Sequence, residues 1–295
     1  MKKCFIVLLC IFHLNYAWTD EHKEIKHETD LLFMFATNIQ MEIDVEHRII
    51  FPFSLGSNFL TKQNNITAKF GLELSPMTLK FSTSAVWMPL PFLNFTIGSE
   101  IGSGWNYNLY GFPLKGLGLY QYDENTEPSE WVLGDGLDGV LWKLHGGVSL
   151  LFNLSAFVHG DWNHLVMKID NSLRYQDYTK ADSVELWFFK GGISQNRLSY
   201  YFSVFIGYQM PIFLRMTGFM FEMDMPFYNP QSGKVLNYDA EMLFTFLLDF
   251  KIGNYFSILA LTEIGNHLIR PIMPHLNREW KFSCVRLIAT WHLKY

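Results

Sequence analysis

Few residues in this 295-residue chain stand where their chemistry would be useful together. His164, Asn171 and Ser172 supply a base, an amide and a hydroxyl within one short stretch, the types a hydrolase combines. Ser172 shares a strand parity with Lys168 and Arg174, and a nucleophile and a base act as a pair only when further groups orient them. The stretch reads as an ordinary strand edge, and no enzymatic activity is expected. His159, Asp161 and His164 bracket Trp162 in a polar turn. Spaced histidines beside an indole fit an interfacial loop, and no metal is expected there. Asp123, Glu124, Glu127, Glu130, Asp135 and Asp138 form an oxygen-rich run with no Lys or Arg among them. Asp123, Glu124, Asp135 and Asp138 offer calcium weak oxygen ligands, but the spacing matches no calcium loop, so a solvated acidic loop outside the cell is expected. Gly102-Ser103-Gly104 is followed by no Lys-Ser or Lys-Thr and cradles no phosphate. No cofactor is expected.

Charges that recur at every second position carry more information. Lys69 and Glu73 alternate with Ala68, Phe70, Leu72 and Leu74; Lys80 alternates with Leu79 and Phe81. The same holds for Glu100 among Ile97 and Ile101, for Lys168 and Arg174 among Met167, Ile169, Leu173 and Tyr175, and for Arg286 beside Val285 and Leu287. Asp239, Glu241 and Asp249 oppose Tyr238, Ala240, Met242, Phe244, Phe246, Leu248 and Phe250. Period two is the signature of a strand with two unlike faces. A mid-bilayer Lys or Arg turned toward lipid costs about 2–4 kcal/mol, and several together exceed a typical folding margin. All ten of these charges are therefore expected to line a lumen.

The elements that must hold them are β-strands closed into a single antiparallel transmembrane barrel. Fourteen segments qualify, near 31–43, 46–54, 66–74, 77–87, 92–102, 113–122, 139–150, 164–176, 182–192, 198–210, 213–225, 238–251, 255–265 and 281–295. Because 31–54 and 139–158 are ambiguous, 12–14 strands are expected. Across a two-residue turn at Ser75-Pro76, Leu74 should pair with Met77, Leu72 with Leu79, Phe70 with Phe81 and Glu73 with Thr78. Residues 198–221 are apolar enough to suggest a helical span, but Tyr200, Phe202, Val204 and Ile206 alternate with Tyr201, Ser203 and Gly207, and Pro211 ends the run.

Composition agrees. Aromatics are 17% and mean hydropathy is +0.07, less apolar than a polytopic helical protein and more aromatic than an ordinary soluble domain. Lys2 and Lys3, the apolar run Cys4 to Leu14 and Asn15-Tyr16-Ala17 have the form of a cleaved secretory signal, residues 1–17. Its removal leaves 21 basic against 28 acidic residues, a net −7 that argues against nucleic acid. Cys284 then stands alone, without an internal disulfide. Residues 18–30 read as a mobile leader and 31–295 as the barrel.

Val285, Leu287, Ala289, Trp291, Leu293 and Tyr295 lie on one parity, with Arg286, Thr290, His292 and Lys294 on the other. This resembles the C-terminal signature of bacterial outer-membrane barrels, in which alternate apolar residues ending on an aromatic are read by the barrel-assembly machinery. Leu293 departs from that pattern, which often has an aromatic third from the end. Gly102-Ser103-Gly104-Trp105-Asn106, Gly160-Asp161-Trp162-Asn163-His164 and Tyr208-Gln209-Met210-Pro211-Ile212-Phe213-Leu214 look similar to short stretches of a family of spirochaete (treponemal) outer-membrane proteins. The resemblances imply an outer membrane of a diderm bacterium, contact with its lipids, and a barrel without a named substrate. The expected function is a porin-like channel for small solutes, with hydrophobic substrates as a variant that needs an apolar pocket inside. The alternative is a non-conducting structural or host-interaction barrel.

Overall fold

Period-two alternation becomes strand wherever the chain is described. The computed structural model describes residues 24–37, 40–52, 64–109, 112–120, 137, 139–154, 164–182, 185–190, 192–227, 240–272 and 275–294. Twelve strands close into one antiparallel barrel: β1 (Lys26–Ala36), β2 (Gln40–Pro52), β3 (Asn65–Leu74), β4 (Thr78–Leu90), β5 (Leu93–Gly104), β9 (Leu141–Asn153), β10 (Leu165–Tyr178), β13 (Arg197–Gln209), β14 (Leu214–Pro226), β15 (Glu241–Ile252), β16 (Phe256–Ile272) and β17 (His275–Lys294). Each pairs with its sequence neighbour in the wall, and β1 pairs with β17 to remove the last open edge. The fold is thus the all-β single barrel that the alternation implies.

Two of the fourteen candidate segments do not enter the wall. Residues near 113–122 and 182–192 instead supply β8 (Leu117–Tyr120) and β11 (Leu186–Phe189), which with β12 (Gly192–Gln195) form a separate three-stranded sheet in the order β12-β11-β8. Asn106–Leu109 and Phe112–Lys115, β6 and β7, form a two-stranded hairpin. Four residues are too few to cross a bilayer, which needs about 9–11 per strand. The first hairpin also differs from expectation: β1 ends at Ala36 and β2 starts at Gln40, and β1 begins at Lys26, inside the segment read as a leader. Residues 1–17 lie outside the described ones.

The β3–β4 register is a second correction. Leu74 pairs with Leu79, Leu72 with Phe81, Phe70 with Thr83 and Glu73 with Lys80, two residues beyond the tight-turn register. A slip of two keeps every side chain on its face, so hydrophobic matching alone does not choose between the registers. Local polar groups favour the observed one. The Ser75 backbone N–H donates to the Thr78 carbonyl at 2.9 Å, while the Thr78 N–H donates to the Ser75 hydroxyl, also at 2.9 Å. The wider turn sets Lys80 Nζ 2.7 Å from Glu73.

The outer face is an apolar belt. Phe33, Phe35, Met41, Ile43, Phe70, Leu72, Phe81, Trp87, Leu173, Phe244, Leu287 and Trp291 are all exposed, and Ile97 and Phe219 reach 69% and 67%. Such a continuous belt needs an apolar solvent, which a bilayer supplies. Residues 198–221 cross as strands β13 and β14 joined at 210–213. No helix among the described residues is long and apolar enough to span a membrane.

The two ends of the barrel are unlike. One carries Lys26 and Lys294, with the tight connections at Pro91-Phe92 and 253–255. The other carries the connections that contain β6–β8 and β11–β12, together with the β16–β17 hairpin. That hairpin outruns its neighbours: β15 reaches along β16 only to Gly265, and β1 along β17 only to Arg286. The Asn266 side chain closes the last rung, accepting from the Met242 N–H at 2.5 Å and donating to the Ala240 carbonyl at 2.9 Å.

Candidate functional site: the barrel interior and the sheet across its mouth

Registers place the polar parity on the inner wall, opposite the belt. Glu73 and Lys80 face each other across β3 and β4, and Lys80 Nζ lies 3.7 Å from Glu100 on β5. Lys69 sits between Arg48 and Ser84 on neighbouring strands. Lys168 lies 2.9 Å from Asp170, whose carboxylate also accepts from Ser149 and Ser203. Arg174 stacks on the Tyr201 ring, 3.3 Å from its centroid, and the Tyr201 hydroxyl donates to Glu222. Asp249 is gripped by Arg215, with Nε at 2.7 Å, and Arg286 lies 3.0 Å from Glu263. Glu241 stands opposite Asp224 and has no ion pair among the described residues. Leu287, Ala289, Trp291 and Leu293 share the parity of the outer belt on β17 and pair with Phe35, Phe33, Leu31 and Thr29 of β1.

Several other candidates are not assembled. Asn171 and Ser172 are successive strand residues and so point to opposite faces; Asn171 accepts the Tyr200 hydroxyl at 2.5 Å, and His164 lies at the far end of β10. Asp239, Tyr295 and the calcium candidates Asp123, Glu124, Asp135 and Asp138 lie outside the described residues, as do His159 and Asp161.

What the alternation did not foretell is the sheet β8–β11–β12. It is anchored at one wall by an apolar cluster in which Trp187, 1% exposed, packs with Leu117, Leu141 and Tyr178. Asn196 completes the anchor. Its side-chain oxygen accepts from Trp187 Nε1 at 2.9 Å and the Tyr178 N–H at 2.7 Å, and its amide donates to the Ala181 carbonyl at 2.8 Å. From there the β11–β12 hairpin reaches the opposite wall, since β10 and β2 stand five places apart around the twelve-strand ring. At its tip Lys190 adopts φ 53°, a left-handed conformation uncommon for a side-chain-bearing residue. Its ammonium lies 2.8 Å from Glu42 and also contacts Glu73, while its carbonyl accepts from Gln40 at 2.9 Å. Burial pulls the Lys190 ammonium below its ordinary value, and Glu42 and Asp44 pull it back up. Lys190 is hidden in the sequence because 182–192 alternates like a spanning strand; Glu42, Glu222 and Asp224 are not singled out there, and the signal that could have found them is their place on the polar parity of β2 and β14.

Beside this strap, a cavity of about 770 Å³ remains open. Glu42, Glu73, Glu222, Asp224, Glu241 and Glu263 line it, against Lys190, Lys281 and Arg286. The wall facing β14–β17 carries Lys69, Lys80, Lys143, His145, Lys168 and Arg174. Cysteines replacing Lys69, Glu241 or Asp249, with Cys284 removed, are expected to react with water-soluble thiol reagents, and cysteines at Ile97 or Phe219 with lipid-confined ones. The reverse pattern would invert the two faces.

No protein-family model and no curated protein matches the sequence. Solved structures similar to it include outer-membrane proteins at low identity. The KdgM porin is 9% identical, with 91% of this chain and 99% of that chain covered and a TM-score of 0.37. An outer-membrane channel from Pseudomonas putida is 9% identical, with 93% and 97% covered and a TM-score of 0.47. The beta domain of the Bordetella autotransporter BrkA is 10% identical, with 90% and 98% covered and a TM-score of 0.39. The fold assignment rests on the closed ladder itself.

Proposed function

We propose that this protein is an outer-membrane channel for small water-soluble solutes, exported by a cleaved signal at residues 1–17. The observation that carries the reading is the wet inner wall. Side chains of Lys168, Arg215 and Arg286 keep 44%, 48% and 34% of their surface open although they face inward. A lumen packed shut would bury such charges at several kcal/mol each. The outer belt supplies the membrane, and closure without an edge is how strands satisfy their backbone in lipid. Outer-membrane barrels carry short periplasmic turns and longer external loops. The end bearing the mouth sheet is therefore assigned to the outside, together with the acidic segment 123–138.

Two measurements test this. Liposomes containing the refolded protein are expected to swell in isotonic solutions of small sugars or amino acids, with rates falling as solute size rises. Absence of swelling supports the second reading, a closed structural or host-interaction barrel, which the sheet across the mouth favours. A protease site inserted within 123–138 is expected to be cut in intact cells. Protection until lysis would reverse the orientation.

A further inference from the structure

One wall of the lumen is layered. Toward the mouth, β14, β15 and β16 present Glu222, Asp224, Glu241 and Glu263. Farther in, the same strands and β17 and β1 present Met216, Met220, Leu247, Leu259, Leu261, Ile288 and Met34 on the inward parity, interrupted between Met216 and Leu259 by Asp249, which Arg215 grips. Phe205 of β13 extends this apolar strip. Its ring covers Gly207 and Gly218, which face each other across β13 and β14, and a Cβ on either glycine would collide with it.

The carboxylates above the strip are undercompensated. Asp224 and Glu241 are direct cross-strand partners, an arrangement that is unfavourable for like charges. Glu222 is two residues along β14, and its partner is the neutral Tyr201 hydroxyl. Six carboxylates share the cavity with three cations, Lys190, Lys281 and Arg286, of which Lys190 is committed to Glu42 and Glu73 and Arg286 to Glu263. Arg197 approaches Asp224 only to 3.8 Å, and one Asp224 carboxylate oxygen is buried without a hydrogen-bond partner. Excess negative charge at the mouth of a cavity, directly above a half-buried apolar strip, complements one kind of solute.

We propose that the lumen binds amphipathic organic cations, with the ammonium head among Glu222, Asp224 and Glu241 and the apolar body along Met216, Met220, Leu247 and Leu261. The proposal rests on the channel reading and adds a solute class to it. The cation supplies the missing countercharge, and its tail covers apolar surface that otherwise faces water. An anion of the same shape meets the carboxylates first and is repelled.

The test uses the full-length protein in planar bilayers and n-alkylammonium ions from propyl to octyl as blockers. Block is expected to strengthen about two- to fourfold per methylene as the tail settles on the strip. Matched alkyl sulfonates should block at least about tenfold more weakly. Asp224→Asn with Glu241→Gln should erase the preference for cations. Leu247→Asn with Leu261→Asn should flatten the chain-length dependence. Equal block by sulfonates, or chain-length dependence unchanged in the asparagine variant, overturns the proposal while leaving the channel intact. If no current flows in the wild type, the channel reading fails on its own. Displacement of a fluorescent alkylamine from the protein in nanodiscs, with the same variants, then decides whether the binding site exists.

Discussion

Lys190→Glu is expected to raise the conductance of the barrel several-fold while leaving the twelve-strand ladder folded. The ammonium of Lys190 is the only charge by which the β11–β12 hairpin tip holds the opposite wall among the described residues, and it does so between Glu42 and Glu73 with Asp44 close behind. These side chains are 10–18% exposed, so water screens the contact weakly. Breaking one side of such a pair costs about 3–5 kcal/mol, and replacing the cation by a fourth carboxylate adds repulsion. A shift of that size moves a docked strap to mainly undocked. The base of the hairpin stays in place through Trp187 and Asn196, so the strap swings instead of unfolding. Adding Glu42→Lys and Glu73→Lys to the glutamate variant should return conductance toward wild type. A conductance unchanged by Lys190→Glu would mean that the hairpin does not obstruct the path.

Trp187→Ala attacks the same sheet at its other end. Trp187 is fully buried, tilted against the Tyr178 ring at 6.0 Å, and hydrogen-bonded to Asn196 at 2.9 Å. Truncating a buried aromatic costs about 3–5 kcal/mol, and the Asn196 oxygen loses one of its donors as well. The rest of the sheet's buried apolar core is Phe188 and Leu117, with Leu119 and Phe189 half-buried beside them. Hydrogen exchange across 186–195 is therefore expected to lose its protection while amides of the barrel ladder keep theirs. Coincident loss in the ladder would show that the mouth sheet and the wall fold as one unit.

These two variants fall on the part of the molecule that the sequence displays least. Alternation revealed the wall because each spanning strand separates lipid from lumen, and the separation of Phe70 and Leu72 from Lys69 and Glu73 is enforced by several kcal/mol. The same logic sets Glu241, Asp249 and Arg286 on the parity opposite the belt. It does not distinguish a strand that spans from one that folds inward, since Leu186–Phe189 and Leu117–Tyr120 also need two faces. Nor does it fix register beyond parity. Leu74 pairs with Leu79 because Ser75 and Thr78 bond each other and Glu73 finds Lys80, and period two is blind to those contacts. The strap contact between Lys190 and Glu73 joins residues 117 positions apart, a separation at which no local pattern operates.

In the proposed channel, water and small solutes pass along the charged inner wall beside the strap. Single-channel recording of the purified, refolded protein in planar bilayers tests this passage most directly, with wild type and Lys190→Glu compared in the same salt. A conducting lumen partly blocked by the strap gives discrete, stable steps for the wild type and larger steps for the variant. A wild-type protein that inserts, resists protease across its ladder and yet passes no current in either form would contradict the proposed channel.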